Sequence, residues 1–194
     1  MASRPSPSPS PANHDEGDYG PDPDHALLEE TTCDAQFVHD KNNKLIIKEF
    51  AVYLPGFGID GYRVVTFAPP YEKEHLPLKV VKQNNYAAAN IHGLEWNDGE
   101  IGYRDIFYIM WTMTYQFKVL YAKGTEKTKI LQTYLPHLRV INIESLGCTA
   151  FEKLPLFDAV CVDEVHCKYR HYSRASKQAK RLGLWLKFFK CAKQ

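Results

Sequence analysis

The apolar residues of this chain change period part-way along, and that change restricts its possible folds more than any other feature. Gln36-Phe-Val-His39, Leu45-Ile-Ile-Lys-Glu-Phe-Ala-Val-Tyr53 and Tyr62-Arg-Val-Val-Thr-Phe67 are rich in branched and aromatic residues. The turn-forming segments Asn42-Asn43 and Pro55-Gly-Phe-Gly-Ile-Asp-Gly61 separate them, and Pro69-Pro70 closes the third. This predicts three strands in an antiparallel meander. Helical spacing then takes over at Ile106, Ile109, Met110, Met113 and Phe117. A strand follows at Lys118–Tyr121. Next comes a helix carrying Ile130, Leu131 and Leu135, with Thr125 as its expected N-cap and Pro136 as its stop. The strand Arg139–Ile143 leads on to a last helix over 173–190, which buries Ala175, Ala179, Leu182, Leu186 and Phe189. The expected class is α/β: three antiparallel strands, then alternating helices and strands, in one mixed sheet with helices on its faces.

With 194 residues, 44% of them apolar and 13% aromatic, the chain can bury one ordinary core. Residues 1–30 read as a separate tail, because Arg4-Pro-Ser-Pro-Ser-Pro-Ser-Pro11 disfavours both helix and ladder. The folded domain is expected over 31–194. The net charge of +1 hides a split: residues 1–34 hold eight acids and one base, which leaves 23 bases against 15 acids for the rest. Nothing after Glu164 is acidic, whereas nine residues from Lys168 to Lys193 are Lys or Arg. Such a balance suits a polyanion partner for the folded part and protein partners for the tail. The odd count of five cysteines, without an apolar leader or a membrane-length stretch, suggests free or metal-bound thiols in the cytoplasm or nucleus, and no membrane partner.

Chemistry concentrates in Cys161-Val-Asp-Glu-Val-His166-Cys167-Lys-Tyr-Arg-His171, which holds two thiols and two imidazoles in eleven residues. These are zinc-ligand types, and the Cys-x4-His spacing lets both ends of a short loop reach one metal. The bases Lys168, Arg170, Arg174, Lys177 and Arg181 follow, and Lys123 and Lys127 flank an expected helix N-terminus. All seven are candidate phosphate contacts.

The order of elements is that of the ribonuclease-H-like architecture. Leu45-Ile-Ile-Lys-Glu49-Phe-Ala-Val, Pro69-Pro70 and His92-Gly93-Leu94 resemble, in the same order, the punctuation of DEDDh-type 3′–5′ exonucleases. The chain is more similar to the Maelstrom domain, a divergent member of that fold from the piRNA pathway. Glu49, Cys161-x4-His166-x7-Arg174-Ala175, Leu120-Tyr-Ala-Lys-Gly-Thr-Glu-Lys and Ile141-Asn-Ile-Glu-Ser-Leu carry that likeness over roughly residues 35–190. It implies zinc held by Glu49, Cys161 and His166. Arg174 stands at the fourth ligand position, so a substitute would come from Cys167, His171 or Cys148. It also implies a place in small-RNA or transposon silencing.

Two-metal phosphodiester hydrolysis needs several carboxylates converging on two cations about 4 Å apart. The sequence offers Asp40-Lys41-Asn42 as the first acidic position and Glu126-Lys127 as the middle one, and a His-x4-His or His-x4-Ser replaces the last. Two-metal catalysis is therefore not expected. The expected function is binding of RNA or single-stranded nucleic acid. Two alternatives stand beside it: a metal-independent ribonuclease using His166 or His171 as acid–base, and a protein-interaction scaffold. Trp96, Trp111 and Trp185 read as core residues, and His75 and His92 as surface or turn residues.

Overall fold

The computed structural model describes residues 29–54, 61–154 and 174–192. The expectations placed on the tail, on the loop at 55–60 and on Cys161, His166, Cys167, Lys168, Arg170 and His171 lie outside those residues.

The chain forms strands β1 (Glu30–His39), β2 (Leu45–Tyr53) and β3 (Tyr62–Thr66), and then helices α1 (Leu78–Ala87) and α2 (Ile106–Thr114). Strand β4 (Val119–Ala122), helix α3 (Thr125–Tyr134), strand β5 (Arg139–Asn142) and helix α4 (Arg174–Cys191) complete it. The five strands make one mixed sheet in the order β3-β2-β1-β4-β5. Pairing is antiparallel from β1 to β2 and β2 to β3, and parallel from β1 to β4 and β4 to β5. The class is α/β, as the periodicities indicate. The first strand starts six residues before the expected Gln36. Thr125 is not the N-cap of α3: Gly124 holds that position at φ 101°, with its N–H donating to Asn142 Oδ1 (3.1 Å).

Alternation along the strands sends their side chains to two faces. On one face Cys33, Ala35, Phe50 and Val52 meet α2 and α3 through Met110, Leu131 and Leu135, all in one core. On the other, α4 crosses the sheet, its Ala175 and Ala179 against Ala51 and its Leu182 and Leu186 against Tyr121 and Ile143. Thr32 Oγ1 donates to the Ala179 carbonyl at 2.7 Å. Gly183 makes this approach possible, since a Cβ there would overlap the Tyr53 ring and come within 3.0 Å of Thr32 Oγ1.

Two features reposition residues that the sequence left ambiguous. Asp40, read as a possible first metal acid, caps the β1–β2 turn instead. Its Oδ1 accepts from the Asn42 and Lys44 N–H groups at 2.8 Å each, the usual work of an Asp in a tight turn. Lys48 is the extra residue of a bulge, because the register passes from Gln36↔Glu49 to Phe37↔Ile47. With only 1% of its surface exposed, it carries its ammonium to the carbonyls of Phe67 (3.0 Å), Trp96 (2.6 Å) and Asp98. Burial pulls its pKa down to about 8.

The tryptophans divide. Trp96 is buried, with its Nε1 donating to the Tyr71 carbonyl (3.1 Å), and Trp185 is half-buried against Phe189. Trp111 is 48% exposed, contrary to the core reading. The buried stripe of α2 is Ile106, Met110 and Met113. A residue next to Met110 lies about 100° round the helix and faces outward.

Replacing Lys48 by Met should destabilise the fold by roughly 2–4 kcal/mol, because buried carbonyls lose their donor. Urea unfolding of the wild type and of K48M would measure it; a loss below about 0.5 kcal/mol would show that these bonds contribute nothing net.

Candidate functional site

Strand β1 pairs with β4 only as far as Thr32↔Tyr121, and β4 ends at Ala122. Asp34 therefore lies beyond the end of its parallel neighbour, at the carboxyl edge of the strands, where α3 begins. Such edges are where open α/β sheets leave a crevice. Asp34 and Gln36 are two residues apart and share the face covered by α4. Asp34 is 0% exposed, so its charge must be met from within the protein.

Three side chains bond it. Lys127, in the first turn of α3, ion-pairs with Asp34 Oδ1. Gln36 Nε2 donates to Asp34 Oδ2 at 3.0 Å. Gln178 of α4 takes the amide orientation in which its nitrogen donates to Asp34 Oδ2 (2.5 Å) and its oxygen accepts from Arg174 Nε (3.2 Å). The opposite orientation would set oxygen against acceptors. Desolvation outweighs these donors, so the Asp34 pKa is pushed up to about 6; Lys127, the Ala35 backbone and Arg174 oppose the rise. Burial also holds the adjacent Cys33 thiol well above its ordinary pKa, which leaves it protonated and unreactive.

Glu49 lies opposite Gln36 on β2 and is 2% exposed. Its Oε2 accepts from the Ala175 N–H at 3.2 Å. That N–H is one of the donors a helix start leaves without an intrahelical partner, and a carboxylate there also meets the positive end of the helix dipole. Of the expected zinc ligands Glu49, Cys161, His166, Cys167 and His171, only Glu49 falls among the described residues. No group of three or more His, Cys, Asp or Glu suited to a metal occurs among those residues. Cys148 is buried in an apolar cluster with Tyr121, Ile143 and Leu154, and burial raises its pKa. His92 lies in the turn after α1, half-buried, with its Nδ1 accepting from the Leu94 N–H (3.1 Å).

The candidate phosphate contacts fall into two groups. Lys127 is engaged with Asp34. Lys123 pairs with Glu144 (2.6 Å) and lies over the Phe151 ring. Arg181 donates to the Phe151 and Leu154 carbonyls and ties α4 to that segment. Arg174 and Lys177 are exposed, and Arg174 also donates to the Ile91 carbonyl. With Gln178, Arg181, Phe151 and Glu152 they line an open depression of about 250 Å³.

Sequence reasoning missed Asp34 and Gln36, because Asp34 was counted with the acidic tail. The available signal was an acid enclosed by Thr31-Thr32-Cys33 and Ala35, which are strand-compatible residues on both sides. The middle acidic position is also resolved: Glu126 is exposed, and its neighbour Lys127 turns inward. The described arrangement places two amides and an ammonium on one carboxylate. That donor set does not fit a two-cation centre, which needs converging anions.

The Asp34 pKa, about 6 against an ordinary 3.8, makes the pair pH-sensitive. The stability tied to its protonated form is complete below about pH 4 and is lost as pH rises through 6. Lys127→Met removes the main opposing charge and raises that pKa further. Its cost should therefore grow from under about 1 kcal/mol at pH 5 to roughly 2–3 kcal/mol at pH 8. Denaturation at the two pH values would measure it; an equal cost at both would contradict the pairing.

No protein-family model, curated protein or solved structure matches this chain.

Proposed function

We propose that this chain is a nucleic-acid-binding module, for single-stranded RNA in the first instance, built on a catalytically degenerate ribonuclease-H-like fold of the Maelstrom type. The observation that carries the reading is the Asp34–Lys127 pair. A nuclease of that architecture would gather metals on a carboxylate at the carboxyl end of the first strand. Here a lysine ammonium occupies one oxygen of that carboxylate, and Gln36 and Gln178 donate to the other. The strand order β3-β2-β1-β4-β5, with antiparallel β1–β2–β3 and parallel β4 and β5, supports the fold assignment. Arg174 and Lys177, exposed beside the depression, supply positive charge next to this neutralised centre. A role in small-RNA silencing follows from the sequence resemblance alone. Among the described residues no helix is long and apolar enough to cross a membrane.

Phosphate contacts release counterions, so affinity for a labelled single-stranded RNA should fall with salt at a log–log slope of about −0.7 per contact. Neutralising Arg174 and Lys177 should weaken binding about ten-fold or more and flatten the slope. Lys123→Met should change stability with little effect on affinity. Absence of binding at low salt, or affinity indifferent to Arg174 and Lys177, would leave the protein-interaction scaffold as the better reading.

Zinc belongs to this proposal through Glu49. The Cys161–His171 segment ends three positions before Arg174 in sequence, and Glu49 bonds the N–H of Ala175. Cys161 and His166 would join Glu49, with a fourth ligand from Cys167 or His171, and bound zinc would supply folding energy, with no step in catalysis. Metal analysis of the purified chain should find one zinc per chain, lost in Cys161→Ser. A metal-free chain with unchanged stability under chelator would remove zinc from the account.

A further inference from the structure

Helix α2 turns an aromatic face to solvent that the RNA-binding reading does not use. Nine large hydrophobic side chains are exposed among the described residues. Four of them, Phe107 (56%), Tyr108 (67%), Trp111 (48%) and Tyr115 (58%), fall within nine consecutive positions. Phe107, Trp111 and Tyr115 follow one another at intervals of four and form a ladder along one side of the helix. Its rungs are braced: Trp111 stacks on Tyr115 (5.5 Å between centroids), and Phe107 stacks on Tyr134 of α3 (5.1 Å). Stacking fixes the rings and leaves their outer surfaces open. Contiguous exposed aromatic surface of this kind marks an interaction site.

We propose that this face binds polyproline, and that its occupant is the chain's own run Pro5-Ser-Pro7-Ser-Pro9-Ser-Pro11. Rigid aromatic grooves recognise proline-rich segments because the extended polyproline helix is already ordered and loses little entropy on docking. A polyproline helix has three residues per turn at about 3.1 Å each, so one turn is about 9.3 Å long and a run with proline at alternate positions presents proline on each of its three edges. The ladder, about 12 Å from Phe107 to Tyr115, is long enough to meet one such turn.

The point where the chain enters the fold brings the run within reach. The Glu29 carbonyl accepts from the N–H groups of Lys118 and Val119 (3.0 Å each), and its carboxylate pairs with Lys118 (3.1 Å). Lys118 is three residues beyond Tyr115, so the N-terminal segment starts at one end of the ladder. Residues 12–28 can span up to about 55 Å, and α2 is about 13 Å long. That linker carries Asp15, Glu16, Asp18, Asp22 and Asp24, and the exposed base Arg139 donates its backbone N–H to the Lys118 carbonyl (3.1 Å), beside that entry point. Tethering supplies an effective concentration near ~1 mM, at which even a ~0.1 mM contact would be about 90% occupied.

The test uses the full chain labelled with 5-fluorotryptophan, with its three ¹⁹F resonances assigned by single Trp→Phe substitutions. A second chain carries Pro5, Pro7, Pro9 and Pro11 all changed to Ala. The Trp111 resonance should shift, and its accessibility to a soluble paramagnetic quencher should rise about two-fold or more, with Trp96 and Trp185 unchanged. In the wild type the Trp111 signal should not change on dilution. Identical Trp111 signals in the two chains would overturn the proposal. A Trp111 signal that depends on concentration and not on the prolines would show that the face pairs two copies of the chain, and would overturn it as well.

Discussion

A carboxylate without solvent exposure, in the central strand of a sheet, dictates what its neighbours must be. Asp34 imposes this constraint. Its desolvation is the largest influence on its own titration, and an isolated buried charge would cost several kcal/mol. Lys127 from α3, Gln36 from β1 and Gln178 from α4 converge on it for that reason. The pair thereby joins the sheet to a helix on each of its faces, and its chemistry sets what the carboxyl edge of the sheet can do. With ammonium and amides on its oxygens, the group has the character of an internal ion pair, unlike the open carboxylate that metal-dependent hydrolysis requires.

The next strand repeats the logic with different chemistry. Both faces of β2 are covered, so Ile47 to Val52 are all buried, Lys48 and Glu49 among them, and the bulge shifts the register at Lys48. Lys48 fastens the segment from Phe67 to Asp98 by backbone carbonyls, and Glu49 receives the first turn of α4. Two neighbouring residues of one strand therefore hold a long connection and the start of the C-terminal helix. Arg181 then secures that helix to Phe151 and Leu154 further along. The basic helix thus uses Arg181 as an internal anchor and keeps Arg174, which also bonds the Ile91 carbonyl, and Lys177 at the surface.

Much of this architecture is legible in the residues themselves. The branched and aromatic runs at 45–53 and 62–67 and the stripe Ala175, Ala179, Leu182 and Leu186 record the period of their elements directly. The first half of β1 is harder to read, because Thr31, Thr32 and Asp34 resemble the acidic segment before them. Only tertiary packing makes them buried. The site is less legible than the fold for the same reason. Asp34, Gln36, Lys127 and Gln178 are far apart in sequence except for the first two, and nothing local marks Lys127 as inward or Glu126 as outward. Trp111 misleads in the opposite sense: a large apolar ring on a hydrophobic helix suggests the core, yet the helix already fills its core stripe with Ile106, Met110 and Met113.

We propose that the carboxylate at the carboxyl edge of this sheet belongs to a binding module and not to a two-metal cleavage centre. This proposal is tested most directly by incubating the full chain with labelled single-stranded RNA in excess Mg²⁺ and in EDTA, then scoring bound complex and fragments in both. The account predicts intact RNA in each condition, and in Mg²⁺ a bound complex that is weaker because the divalent cation competes for phosphate. RNA cut in Mg²⁺, spared in EDTA and spared again by the Asp34→Asn chain would contradict it.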